Sequence, residues 1–129
     1  MLHVRIIDGV PAYVGKIALE FAAPAEQVLR VDHAILIDVV PAQKLTDPRG
    51  KLAVGIFYFD RHGEPTISLA GDLRKSVERW GQDRALGEFV HTFAHELAHY
   101  EQWRDGRIVQ ERGVEVRARN IVKLCEAIR

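Results

Sequence analysis

His95 and His99, four residues apart with Glu96 beside the first, are the residues of this chain whose types and spacing could do chemistry. On a helix of 3.6 residues per turn, positions four apart differ by roughly 40° and one turn of rise, so both imidazoles can face one metal ion. Glu96 lies roughly 100° further round, too far to share that ion easily but near enough to hold a water beside it. His95-Glu96-Leu97-Ala98-His99 therefore offers two ligands and a base, the HExxH pattern of metal-assisted hydrolysis. With six His and ten Glu in 129 residues, shuffling would give roughly 0.02 such matches, so coincidence is a poor account of it.

The helix carrying the motif must hold one face in a core and turn the other to a cleft. Phe89, Val90, Phe93, Leu97 and Tyr100 form an apolar arc, and His95 and His99 fall on the opposite side of the same helix. Ala94 and Ala98 make a flank without bulk. A solvated polar stripe on an amphipathic helix would also show His and Glu, but it would not need this division of faces.

A hydrolytic zinc site needs a third protein ligand and an open fourth position. Glu111 and Glu115 are the candidates. If the motif helix ends near Arg104 and an antiparallel helix starts near Gln110, Glu115 comes level with His99 while Glu111 sits roughly 6 Å nearer the turn. The count thus favours Glu115 as ligand, leaving Glu111 to hydrogen-bond a ligating histidine. His91, one turn before His95, would close the site if it were a fourth ligand. Reaching one ion from three successive turns is geometrically hard, so it is expected to line the cleft or face water. His62, Tyr58 and Tyr100 could stabilise a tetrahedral intermediate, and no spacing selects among them. His3 and His33 carry no signal.

Around these residues the pattern predicts one α+β domain over residues 1–129, a small β-sheet packed against the motif helix and a C-terminal helix. Residues 3–7 and 12–19 fit a hairpin, but Val14, Ile17, Ala18 and Phe21 also fit helical spacing. A short helix is expected over 25–30, just after Pro24. Residues 34–40 read as a buried strand stopped by Pro41, 46–50 as a loop, and 51–59 and 66–69 as further strands joined by a Gly and Pro turn. Residues 66–69 could be a cleft edge to which an extended peptide adds, or an ordinary interior strand. Asp72 can cap a short helix that presents Leu73, Val77 and Trp80 and ends at Gly81. Asp83 can then cap the motif helix, which runs to about residue 105, and a last helix covers 110–128.

Composition adds bounds. Hydrophobic residues make up 47% of the chain and charged residues 28%, enough apolar material for one core. Eighteen basic residues balance eighteen acidic ones, so nucleic acid is not indicated as a partner and an anionic membrane is not favoured. Arg112, Arg117, Arg119 and Lys123 read as a solvated basic face. The single Cys125 precludes an internal disulfide and lies on an apolar stripe with Val114, Ala118, Ile121 and Ile128. No apolar run is long enough to span a bilayer, and Arg5 and Asp8 interrupt the N-terminus where a secretory h-region would be. The expected location is cytoplasmic.

The motif together with Glu115-Val116-Arg117-Ala118 on a later helix resembles the minimal gluzincin metallopeptidases, in which a Glu-x-x-Ala element supplies the third ligand. The strand, the turn and Pro65-Thr66-Ile67-Ser68-Leu69 ahead of the helices are similar in layout to the ImmA/IrrE-type and SprT-like members. Those families often place Asp or Asn after the Ala, where this chain has Arg119. The resemblance covers the second half of the chain and implies a zincin-like domain, a Zn2+ cofactor bound by His95, His99 and Glu115, and a metalloprotease activity. Peptide bonds would be hydrolysed by a metal-activated water with Glu96 as general base. The expected partner is a protein or peptide substrate, such as a regulatory protein. The competing expectation is a non-catalytic, zinc-stabilised protein-binding module, against which an intact Glu96 argues.

Overall fold

The chain is described over residues 1–128 by a computed structural model. Strand β1 (Leu2–Ile6) leads into helix α1 (Ala12–Leu29) and then β2 (Ile35–Val40). β1 and β2 pair in parallel, with Val4 opposite Ile37, so the connection must cross over and α1 is that crossover. This resolves the ambiguity at the N-terminus. Val14, Ala18, Phe21, Ala22, Ala25 and Leu29 are all buried at helical spacing, which a hairpin over 12–19 could not achieve.

The helix expected to start after Pro24 instead runs straight through it. Pro24 removes one backbone donor, but its ring is buried and the helix is held by its packed face rather than by propensity. α1 ends where Arg30 takes a left-handed conformation (φ 51°), and the Val31 N–H reaches back to the Glu26 carbonyl at 3.3 Å.

Residues 51–59 are not one strand. β3 (Leu45–Thr46) and β4 (Leu52–Ala53) make a small ribbon, while β5 (Gly55–Phe59) pairs antiparallel with β6 (Pro65–Ala70). Between β5 and β6, Asp60 Oδ1 accepts from the His62 and Glu64 N–H groups at 2.8 and 3.0 Å, building a tight turn. The main sheet runs β1-β2-β6-β5. The candidate cleft edge at 66–69 is therefore an interior strand, because β5 folds back and occupies that side. β5, like β1 at the opposite end, is an edge strand of the sheet among the described residues.

After β6 come α2 (Arg74–Trp80), α3 (Gln82–Arg104) and α4 (Val114–Ile128). Asp72 does not take the cap position of α2, which falls at Leu73, although its carboxylate accepts from the Arg74 N–H at 3.3 Å. α3 begins directly after Gly81, placing Asp83 inside its first turn rather than at its cap. α1 packs on β1, and α3 on β5 and β6, so one face of the sheet is covered by helices. Ile35, Ile37 and Val39 alternate into that layer and meet the buried arc of α3: Phe89, Phe93, Leu97 and Tyr100.

The last helix starts four residues later than the sequence suggests. Gly106 (φ 72°) ends α3 with the Arg107 N–H bonded to the Gln102 carbonyl at 2.8 Å, and Gly113 (φ 81°) breaks helical geometry just before α4. Residues 105–113 form a connection of their own. Cys125 is buried with Val114, Ala118 and Ile121, as the stripe predicted, but Ile128 is exposed. The basic face of α4 is not wholly solvated either. Arg117 makes two 2.7 Å hydrogen bonds to the buried Glu101 carboxylate.

Candidate metal centre

α3 holds His91, His95 and His99 on successive turns along one wall of a cleft of about 940 Å³, whose other walls come from residues 47–57 and 109–115. His99 is buried, and His95 is mostly so. Their rings lie edge to face with centroids 5.0 Å apart. Two hydrogen-bonded groups share His95. Glu111 bridges the motif: one carboxylate oxygen is 2.9 Å from His95 Nε2 and the other 3.0 Å from His99 Nε2. Glu115 sits behind, 2.6 Å from His95 Nδ1 and 2.8 Å from His91 Nε2.

Ring nitrogens separate the two carboxylates chemically. A neutral imidazole offers one lone pair, and the nitrogen whose N–H donates to a fixed acceptor leaves that lone pair on the other nitrogen. With His95 Nδ1 against Glu115 and His99 Nδ1 3.1 Å from Gln102 Oε1, both histidines can present Nε2 lone pairs toward Glu111. Two imidazole nitrogens and a carboxylate are a donor set that zinc takes in hydrolytic sites, with anchoring acceptors behind the histidines. The residues present fit that ion. The alternative group, His91, His95 and Glu115, uses the opposite nitrogen of His95.

The structure thus brings His95 and His99 together with Glu111, while Glu115 touches His95 from the other side and does not meet His99. The helical count set both acids about one turn too near the end of α3, with Glu115 level with His99 and Glu111 beyond it, because it assumed α4 began at residue 110. In fact residues 105–113 run back along α3 before α4 starts, carrying Glu111 past His99 and delivering Glu115 to His91. His91 lines the cleft as expected. Tyr100 is fully buried with its hydroxyl 3.2 Å from His33 Nε2, Tyr58 pairs with Ser68 at 3.3 Å, and His62 lies in the β5–β6 turn. None of these three lines the cleft.

Glu96 is buried beside the histidines. Burial pushes its carboxyl above the usual range, opposed by the neighbouring His95 and His99 and by the Phe57 backbone N–H. A carboxylate moved toward neutrality is a better proton acceptor at working pH. Glu115 goes the other way, held low by its hydrogen bond to His91.

Two residues of the site escaped the sequence reading. Gln102 follows His99 by three residues, on the same helical face, and that spacing was its only signal. Gly55 is the glycine inside an apolar run, a mark of close backbone approach. A Cβ there would lie 2.7 Å from Thr92 Cγ2 and 3.0 Å from Glu96 Oε2, so β5 can lie against α3 at the base only without a side chain. Gly55→Ala is expected to destabilise the fold by about 1–3 kcal/mol, as overpacking does. Adding Thr92→Ser, which deletes the nearer methyl, should recover part of the loss in urea denaturation. An unchanged midpoint in Gly55→Ala would mean that β5 lies further from α3.

Comparison with known proteins finds no family model, no curated protein and no solved structure that matches the chain. Among the described residues, no helix is long and apolar enough to cross a membrane.

Proposed function

We propose that this protein is a zinc-dependent metallopeptidase of gluzincin type, with His95, His99 and Glu111 holding the ion and Glu96 as general base. The observation that carries the reading is the convergence of two Nε2 atoms on one carboxylate, 2.9 and 3.0 Å away, with a buried acid beside them in an open cleft. When bound, zinc supplies Lewis acidity, lowering the pKa of a water toward about 7 and polarising a carbonyl. Glu96 accepts the water's proton as the oxygen attacks the scissile carbonyl, then delivers it to the leaving amine. Glu115, hydrogen-bonded to His95 Nδ1, keeps that histidine in the tautomer that leaves Nε2 free for an ion.

A protein or peptide is the substrate class that suits the cleft. β5 presents an unpaired strand edge along the cleft, and an extended chain can pair with such an edge. The balanced net charge favours a regulatory protein over a DNA-associated one as the target.

The test is metal content with stability and turnover. The purified protein is expected to carry one zinc per chain, to melt at lower temperature when chelated, and to cleave members of a diverse peptide and protein set. The ion would tie α3 to the connection before α4, so its removal should loosen both. A protein that takes up no zinc at neutral pH and melts unchanged with chelator would refute the reading. Zinc uptake without cleavage across the set would favour a zinc-stabilised binding module.

A further inference from the structure

Gln102 is buried at the end of α3, and its side-chain oxygen has two partners. His99 Nδ1 lies 3.1 Å away, and the Gln110 backbone N–H donates to the same atom at 3.1 Å. Gln110 immediately precedes Glu111. One oxygen therefore reaches the ring of a motif histidine and the backbone of the segment that bears the carboxylate facing it. We propose that Gln102 is a positioning residue for the site, fixing His99 as the Nδ1–H tautomer and tying residues 107–112 down so that Glu111 meets Nε2.

The physical argument is one of acceptors. The Gln102 amide oxygen has two lone pairs, enough for both N–H groups at once. If it is removed, His99 loses the partner that selects its tautomer, and the Gln110 N–H loses its acceptor in a partly buried place. Among the described residues between Gly106 and Gly113, the other side-chain hydrogen bonds from the connection to α3 are the Glu111 contacts themselves, since Arg107 pairs with Asp105 at 3.5 Å inside the connection. The backbone bond of the Arg107 N–H to the Gln102 carbonyl anchors only its first residue. Gln102 thus supplies the restraint that persists when Glu111 swings away. The amide nitrogen is not needed for either bond, so an acceptor of similar shape should serve.

This proposal rests on the metal-site reading for its consequence, but its test does not. Gln102→Met keeps the side-chain length without a comparable acceptor, and Gln102→Glu restores acceptor oxygens. In zinc-free protein carrying Glu111→Ala, which removes the rival acceptor at His99 Nε2, long-range 1H–15N correlation reports the His99 tautomer and limited proteolysis reports the order of residues 107–112. With Gln102 in place, this protein should show the Nδ1–H form and a protected connection. Gln102→Met should show mixed tautomers and faster nicking at 107–112, and Gln102→Glu should return both toward the parent. Zinc affinity by chelator competition should fall by about 10 to 100-fold in Gln102→Met. If Gln102→Met leaves tautomer and nicking unchanged, the proposal is overturned. If the parent binds no zinc, the metallopeptidase reading fails, while tautomer and nicking still decide the role of Gln102.

Discussion

Glu96→Gln is expected to bind zinc as the parent does and to lose peptide hydrolysis by about 10²–10⁴-fold, the range that a positioned general base contributes. The amide is nearly the same shape as the carboxylate, so the packing against Gly55 and Thr92 survives, but it does not act as a proton acceptor at neutral pH. Because Glu96 is not one of the atoms converging at Nε2, metal content should not follow activity. The measurement is turnover of an identified substrate alongside zinc stoichiometry in the same preparation. Equal turnover by variant and parent would take Glu96 out of the chemistry. Loss of zinc would mean that its carboxylate serves the ion directly.

The second large effect separates the two acids on the far wall. Glu111→Ala should weaken zinc binding by more than the 10 to 100-fold typical of an acceptor behind a ligating histidine, while Glu115→Ala should stay within that range. The reason lies in which ring atom each one meets: Glu111 faces Nε2 of both motif histidines, Glu115 only the Nδ1 of His95 and the ring of His91. Competition titration against a chelator ranks them. Should Glu115→Ala prove the more damaging, the ion sits one turn nearer the start of α3, in the His91, His95 and Glu115 group, and His91→Ala will then cost more than His99→Ala.

The parts of the site legible from sequence are those on a single helix. His95, Glu96 and His99 have fixed mutual angles once α3 forms, and the arc from Phe89 to Tyr100 shows which face is buried. The buried strand of residues 34–40 was readable for the same reason: Ile35, Ile37 and Val39 must point one way in an extended chain. What could not be read was set by chain direction between elements. Glu111 depended on where α4 began, and the two glycines that delay it, Gly106 and Gly113, leave the path between them open. Pro24 misled because local propensity argues for a break there, whereas burial of Phe21, Ala25 and Leu29 carries α1 through. The sequence leaves open whether residues 66–69 form an edge or an interior strand, because nothing in residues 51–59 shows that the chain breaks at Val54 between a ribbon and the sheet.

The nine-residue connection between α3 and α4 has a kinetic consequence. The histidines belong to a helix whose other face is core, so their backbone is held by the packing of that core. Glu111 is largely exposed and hangs on a segment bounded by two left-handed glycines, so it can depart by local opening alone. On the proposed reading, an ion held there exchanges at the rate at which that segment opens, far faster than the rate of global unfolding. Slowing that opening, by shortening the connection or stiffening it, would make the ion inert to exchange without touching an atom that binds it.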